Sequence, residues 1–427
     1  MSSSIDQNPA LPSPAVHLKP GGAAAPTGLR PPRRHDIDNL RSFCTAHVIA
    51  HHTAIAYGGI SGAGLPPQAH SGLFDDASPL FTPFIATNLS YGMGLYFFLS
   101  GQMTAQSMSR SKSDWGLIRS KLWRLGMPAL LYSALIDPVG AVIARPEKTL
   151  VGNLGKYVGE VGKLDGVRGP VWYNATLIVF DICAVALRRV LPYSGSPSPK
   201  FVKAAFRLLG RWGWLGVAGA SFLLRTKLPP GGVIPVIGVD PAYLLQYIFG
   251  YALGHAAFHV GERSIPGPEN LSVYKAYAIS LGTLPLLFLP GFLKGEGIGG
   301  AVQLGGWNWT AAIYAVWNEL SFYTLAPAVM QTFERNYNRP AGRGLWSPRY
   351  SYAAFLLHTL VSWVADLGLA RLLKRSDGKR PAWMSNRAWQ AFGPLLVTAV
   401  MSAVDILGSF KLGQLLIDSV PGVGSLL

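Results

Sequence analysis

The sequence predicts an all-α membrane protein, a polytopic bundle of about ten transmembrane helices. Of the 427 residues, 49% are hydrophobic and only 14% are charged, whereas a soluble domain typically carries about 25% charged residues. The mean hydropathy is +0.27, and long apolar runs alternate with short segments that contain Lys and Arg. This composition also excludes intrinsic disorder for most of the chain.

The chain divides into three predicted regions. Residues 1–34 are rich in Pro, Ala, Ser and Gly and lack the apolar run of a signal peptide, so they predict a disordered cytoplasmic tail. Residues 35–415 form the predicted transmembrane domain, and 416–427 a short C-terminal tail. Both termini are expected in the cytoplasm of a multi-pass protein, since most of the basic residues fall on their side and the loop 61–79 carries none. No address for a particular organelle is present.

A spanning helix needs roughly 20 mostly apolar residues. Ten segments meet this requirement: 38–60, 80–108, 122–145, 170–190, 205–224, 242–261, 272–293, 307–331, 350–372 and 388–410. A re-entrant segment is the alternative for 205–224 and for 272–293. Internal prolines such as Pro128 and Pro285 are compatible with membrane helices where neighbouring groups satisfy the freed backbone.

The net charge of +16 does not indicate a nucleic-acid partner. The basic residues lie between apolar runs, which is the pattern of membrane topology rather than of a nucleic-acid surface. The two cysteines, Cys44 and Cys183, both lie in apolar segments. We therefore predict no disulfide framework, and no metal site, because no metal ligands occur at a suitable spacing.

The first predicted span concentrates ionisable side chains, which are costly in a bilayer and tend to mark functional sites. Arg41 and His52 are eleven residues apart, so both project from one helix face about 16 Å from each other. The pair suits an anion held near the cytoplasmic surface and an imidazole placed deep in the membrane. His47 and His51 lie in the same span. The alternative is that each histidine only hydrogen-bonds a neighbour.

A basic cluster precedes Pro128 at the start of the third span. Its members are Arg119, Lys121 and Arg124. Clustered bases at a membrane edge suit a polyphosphate or a phosphopantetheine group. Charge that only anchors the end of a helix is the alternative.

The candidate site is completed by one carboxylate, Glu319, and by four predicted substrate contacts. Glu319, in the middle of the eighth span, either orients His52 or pairs structurally with a basic group. Predicted substrate contacts are Trp172, Tyr173, Trp317 and His358. Trp172 and Tyr173 equally fit a membrane-interface belt, and His358 equally fits a packing role.

Taken together, these segments resemble the acyltransferase 3 family of integral-membrane acyltransferases, and most closely its glucan biosynthesis protein C subgroup. The matching stretches occur in the family's order over roughly residues 36–372. They are DNLRSFCTAHVIAHHTAIAYGG at 38–59, YFFLSGQMTAQS at 96–107, RSKLWRLGMP at 119–128, GPVWYNATLIVFD at 169–181, YLLQYIFGYALG at 243–254, GGWNWTAAIYAVWNE at 305–319 and YSYAAFLLHTLV at 350–361.

The resemblance implies about ten helices, an acyl-CoA donor on the cytoplasmic side and an acceptor hydroxyl on the opposite side. The family's essential histidine falls on His52 and its arginine on Arg41. Its basic R-x-x-R pair falls on Lys121 and Arg124, and the lysine lacks the bidentate fork of an arginine. His51 beside His52 matches the glucan-modifying subgroup, and spacing alone does not decide which of the two is the base.

The long Pro-rich N-terminus is similar to that of filamentous-fungal members, some of which act in secondary metabolism. The acceptor implied is therefore a carbohydrate or a small metabolite. We predict an O-acyltransferase in which a membrane histidine acts as general base, because an imidazole titrates near neutrality. Arg41, Lys121 and Arg124 would hold the phosphates of acyl-CoA, which is a co-substrate and not a permanently bound cofactor.

The alternative function is a proton-coupled transporter, since buried His, Glu and Arg residues also build proton relays. Such a protein is expected to carry broken helices in corresponding halves, and no such pair occurs in the sequence. The partners expected for the enzyme are acyl-CoA, a hydroxyl-bearing acceptor and the lipid bilayer. Retention of coenzyme A discriminates the two functions.

Overall fold

The computed structural model describes residues 33–57, 78–144, 169–190, 199–294, 303–342, 344–373 and 381–426, with isolated positions at 74, 149, 151–152, 154–155, 159 and 167. The chain divides into two units, Met1–Arg34 and His35–Leu427. The predicted tail lies outside the described residues except at Arg33 and Arg34, so its disorder stays a prediction.

The described part of the second unit is built from helices. They are α1 (His35–Tyr57), α2 (Thr82–Arg110), α3 (Asp114–Lys121), α4 (Met127–Leu131), α5 (Asp137–Ala144), α6 (Trp172–Val190), α7 (Pro199–Arg225), α8 (Pro241–Val260), α9 (Val273–Thr283), α10 (Leu289–Leu293), α11 (Trp309–Asn336), α12 (Pro348–Leu373), α13 (Arg387–Ser419) and α14 (Val423–Leu426). Apart from one isolated bridge between Pro230 and Gly232, these residues form no β structure. The all-α prediction is therefore confirmed for the described residues.

Each of the ten predicted spans coincides with a helical segment. Four segments are long and apolar enough to cross a membrane by length and composition: Gly169–Val190, Val273–Leu293, Pro348–Leu373 and Arg387–Ser419. Large apolar side chains such as Phe392, Leu396 and Val400 are exposed at four-residue intervals along α13, as expected for a face turned to lipid. These features support a membrane protein, while the number of ten spans stays a prediction.

The two predicted spans for which a re-entrant segment is the alternative differ in whether their helix is continuous. The segment around 205–224 is one uninterrupted helix, α7. The segment 273–293 changes from α9 to a 3₁₀ turn at Leu284–Phe288 and then to α10. Pro285 and Pro290 stand at the starts of the two later pieces, where a residue without a backbone N–H is tolerated.

Glycines allow α2 and α8 to approach closely. A Cβ at Gly250 would lie 2.6 Å from the carbonyl oxygen of Gly94, and a Cβ at Gly254 would overlap the carbonyl of Phe98. Small residues at such crossings let backbones touch, and dispersion forces then hold membrane helices together. This pair forms the centre of the bundle, and α11 packs against α2.

The third predicted span contains two π-helical segments. The chain is helical from Asp114 to Ala144, with π geometry at Leu122–Gly126 and Tyr132–Ile136. Pro128 explains the first, because it has no N–H to donate to the carbonyl four residues earlier, at Arg124. The hydroxyl of Tyr352 donates to that carbonyl instead, at 3.3 Å.

Candidate active site

A cavity of about 600 Å³ lies between α1, α2, α6, α12 and the π segment that follows α3. All three predicted phosphate ligands, Arg41, Lys121 and Arg124, line it. They come from two helices about 80 residues apart in sequence. The structure thus brings Arg41 and two members of the basic cluster, Lys121 and Arg124, to one cavity, whereas Arg119 is not part of the lining.

The π segment places Arg124 at this cavity. Its first residue follows Lys121 directly, and the wider turn changes the direction in which the next side chains project. Asn174 steadies the segment from α6, since its amide donates to the Leu125 carbonyl at 3.4 Å and to the Tyr352 hydroxyl at 2.8 Å. A local irregularity caused by Pro128 is therefore part of the site.

Lys121 differs from the two arginines because a carboxylate neutralises it. Its ammonium lies 2.9 Å from Asp181 Oδ2 and donates to Thr104 at 3.0 Å. The other oxygen of Asp181 accepts from Thr104 at 2.6 Å and from Tyr251 at 2.8 Å. Among the described residues, Arg41 and Arg124 have no ion pair. The uncompensated positive charge at the cavity is therefore that of the arginines.

Hydroxyl groups also line the cavity. Tyr173 and Ser100 share a hydrogen bond of 2.5 Å, and Thr45 and Tyr96 share one of 3.2 Å. All four residues belong to the lining. Tyr173, which the sequence predicts as a substrate contact, thus lines this cavity.

A pair of histidines lies next to one residue of the cavity lining, although His51, His52, His358 and Glu319 themselves are not part of that lining. Phe355 of α12 lines the cavity, and its carbonyl oxygen lies 2.6 Å from His358 Nδ1. His358 Nε2 in turn lies 2.7 Å from His52 Nδ1. The two rings are 4.9 Å apart between centroids. His358 is completely buried and His52 is partly exposed.

The hydrogen bonds assign the tautomer of each ring. A carbonyl oxygen can only accept, so His358 Nδ1 carries the proton in its bond to Phe355. In a neutral ring the Nε2 atom of His358 then has a lone pair and accepts from His52 Nδ1–H. The remaining nitrogen of His52, Nε2, therefore holds a lone pair and is the basic atom of the pair.

The other histidines of α1 have different surroundings. His51 is buried, its ring lies 5.9 Å from that of His52, and its Nδ1 has no hydrogen-bond partner in the described part of the chain. His47 bonds Asn88 at 2.5 Å. Within the described part of the chain, His52 is the one of these three histidines that hydrogen-bonds to a second imidazole, and this distinguishes it from His51.

Glu319 does not contact His52, although orienting His52 was one of the two roles expected for it. It is completely buried in α11, and its two oxygens accept from Asn318 at 2.9 Å and from Gln246 at 3.1 Å. The ring of His52 is held by His358 instead. The expectation fails because His358, 306 residues away in sequence, reaches His52 from α12.

Two predicted substrate contacts also lie elsewhere. The indole N–H of Trp317 donates to the Ser280 carbonyl at 2.9 Å, and its ring stacks on Tyr314. Trp172 stacks on Tyr247. Neither belongs to the cavity lining. Both are packing residues in an aromatic cluster between α6, α8 and α11.

Sequence reasoning missed Asp181 and the carbonyl of Phe355. Asp181 carries a signal, because a carboxylate within the apolar run of the fourth span is exceptional in a membrane helix. Phe355 carries none, because its contribution comes from the backbone. Among the described residues, no group of three or more His, Cys, Asp or Glu side chains is placed to hold a metal ion.

Most of the chain matches one known protein family. The family model described as an acyltransferase domain matches residues 34–410, and the chain therefore belongs to that family. The match confirms the family named from the sequence and acyltransferase activity in general. No curated protein and no solved structure matches the chain.

Proposed function

We propose that the protein is an O-acyltransferase that moves an acyl group from acyl-CoA to a hydroxyl group of a carbohydrate or a small metabolite. One observation carries the proposal: the cavity is lined by two arginines that form no ion pair among the described residues, and its lining residue Phe355 contacts an imidazole pair. The assigned tautomers leave His52 Nε2 as the basic nitrogen of that pair. The family match supports the acyl-transfer chemistry.

The donor fits the cavity by charge. Arg41 and Arg124 present planar guanidinium groups, which bind phosphate oxygens through paired hydrogen bonds. The hydroxyls of Ser100, Tyr173, Thr45 and Tyr96 are suited to the amides of a pantetheine arm. The thioester at the end of the arm would then lie near Phe355, beside the histidine pair.

The chemistry uses the lone pair of His52 Nε2. As the acceptor oxygen attacks the thioester carbonyl carbon, Nε2 takes the hydroxyl proton. The bond between carbon and sulfur breaks, and the coenzyme A thiolate leaves and receives that proton. His358 stabilises the imidazolium of His52, because its Nε2 accepts from His52 Nδ1 throughout. An acyl-histidine intermediate is an alternative route for the same residues.

The acceptor would enter from the side opposite the donor. With both termini in the cytoplasm, α1 runs outward, so His52 lies nearer its outer end than Arg41 does. Donor phosphates on the cytoplasmic side and an acceptor from the outer side would meet at the histidine pair. The glucan-modifying subgroup motivates a carbohydrate acceptor, and the fungal resemblance motivates a small metabolite.

The proposal is tested by thioester cleavage in membranes that express the full chain, supplied with a panel of labelled acyl-CoAs. We expect donor consumption by the wild type, its loss in His52→Ala and its persistence in His51→Ala. His47→Ala is a matched control, since it removes a histidine of the same helix whose hydrogen bonds are to Asn88 and Tyr91 and not to another histidine. No consumption by the wild type with any donor, or equal consumption in His52→Ala, would refute the proposal and direct attention to proton flux in vesicles.

A further inference from the structure

A buried carboxylate outside the cavity joins the three helices around the histidine pair. Asp405 lies on α13 and is completely buried. Its Oδ2 accepts a hydrogen bond from Thr53 at 2.7 Å and one from Ser362 at 2.8 Å. Because Thr53 belongs to α1 and Ser362 to α12, a single oxygen atom connects both helices to α13.

The two donors are close neighbours of the two histidines in sequence. Thr53 follows His52 directly, and Ser362 lies one helical turn beyond His358. One turn rises about 5.4 Å, so both contacts of Asp405 are made within about one helical turn of the bond between the rings. The relative position of α1 and α12 at this level decides whether His52 reaches His358.

The bond between the histidines tolerates little displacement. At 2.7 Å it is near the short end of the range for a nitrogen donor and acceptor. A shift of one helix by about 1 Å would lengthen it past the usual range, and misplacement of this size costs on the order of 10²-fold in rate.

We propose that Asp405 is a positioning residue, which fixes α1 and α12 so that His52 and His358 meet. The inference rests on the proposed function, because it assigns Asp405 a part in the same reaction. Asp405 is outside the cavity lining, so the proposal predicts an effect on turnover and none on donor binding.

The role does not require the negative charge of Asp405. Both described contacts use Oδ2, while Oδ1 has no hydrogen-bond partner among the described residues. An asparagine can accept the same two hydroxyl protons through its single amide oxygen. Asp405→Asn should therefore retain the positions of the helices, and Asp405→Ala should lose them.

The test compares kcat for acyl-CoA turnover and the Kd for coenzyme A in the full chain purified in nanodiscs. We expect Asp405→Ala to lower kcat about 10- to 100-fold with Kd unchanged, and Asp405→Asn to stay within about threefold of the wild type. Thr53→Val combined with Ser362→Ala removes the two donors with little change in shape and should reproduce Asp405→Ala. This double variant decides the question if Asp405→Ala does not fold.

A matched control removes a carboxylate that joins the same helix pair elsewhere. Asp418 of α13 accepts from the Tyr350 hydroxyl of α12 at 2.9 Å, and Asp418→Ala should keep wild-type kcat. The inference is overturned if the double variant keeps wild-type kcat, if Asp405→Asn is as slow as Asp405→Ala, or if Kd weakens in parallel with kcat. His52→Ala distinguishes a failure of the Asp405 inference from a failure of the proposed function, because full activity of His52→Ala would refute the proposed function itself.

Discussion

His358 is expected to act through His52, and replacing it tests the tautomer assignment. In His358→Ala, the Nδ1–H group of His52 loses its acceptor at 2.7 Å, and the proton is no longer confined to that nitrogen. Loss of a hydrogen bond to a charged group, here the imidazolium that His52 forms in the reaction, costs about 1.5–3 kcal/mol, which corresponds to roughly 10- to 150-fold in rate. We expect kcat to fall about 30-fold, which is near the middle of that range, with the Kd for coenzyme A unchanged.

The assay is release of coenzyme A thiol from labelled acyl-CoA by the full chain in nanodiscs, with binding measured separately. His358→Gln should recover part of the rate, because its amide oxygen can accept from His52. His47→Ala is the control, since it removes a histidine that is bonded to Asn88. Unchanged kcat in His358→Ala would refute the tautomer assignment. Weaker donor binding at unchanged kcat would instead give His358 the substrate-contact role predicted from the sequence.

Three further outcomes follow from the contacts. Arg41→Gln should weaken coenzyme A binding about 10- to 100-fold, because a charged hydrogen bond is lost. Lys121→Gln should weaken it less than fivefold, because Asp181 already neutralises this lysine. Equal effects of the two variants in a binding titration would contradict this difference. Asp181→Ala should lower the free energy of unfolding by about 2 kcal/mol, since Lys121, Thr104 and Tyr251 lose an acceptor. Adding Lys121→Met should restore part of the lost stability. A lower midpoint of unfolding in the double variant than in Asp181→Ala would contradict this expectation. Gly254→Leu should not fold, because its side chain would overlap the Phe98 carbonyl, and the folded peak should be missing on size-exclusion chromatography. Gly219→Leu is the control and should fold, because there is open space around its Cβ. A normal profile for Gly254→Leu would show that α2 and α8 can separate.

The helices could be predicted from the sequence because each span is a long apolar run. The predicted segment 38–60 corresponds to His35–Tyr57, and 350–372 to Pro348–Leu373. The irregularities were harder to place. Pro128 signals a break, but the π geometry of Leu122–Gly126 also depends on Tyr352 and Asn174, which come from distant helices.

The site was predictable where its residues share a helix or a short motif. Arg41 and His52 lie on one face of α1, and Lys121 and Arg124 are one turn apart. The distance in sequence therefore predicts that the members of each pair lie on the same side of their helix. The partner of His52 was not predictable in this way, because His358 reaches it across the bundle from α12. Glu319 shows the converse. A carboxylate in a predicted span suggests a functional role, although its oxygens accept from the two amides of Asn318 and Gln246.

Two buried carboxylates of this bundle, Asp181 and Asp405, differ in what they contact. Asp181 compensates a cation, and Asp405 accepts from hydroxyls without one among the described residues. The sequence context of each is an apolar run, so the difference arises only from what the neighbouring helices present. Tertiary contacts therefore decide the role of an intramembrane charge.

The central claim is that one cavity binds the donor while His52 performs the chemistry. Its most direct test is equilibrium binding of labelled coenzyme A to the full chain in nanodiscs, compared for the wild type, His52→Ala and Arg41→Gln/Arg124→Gln. We predict binding of one coenzyme A per chain in the wild type and in His52→Ala, and loss of binding in the double arginine variant. Binding that survives removal of both arginines, or that disappears in His52→Ala, would contradict the claim.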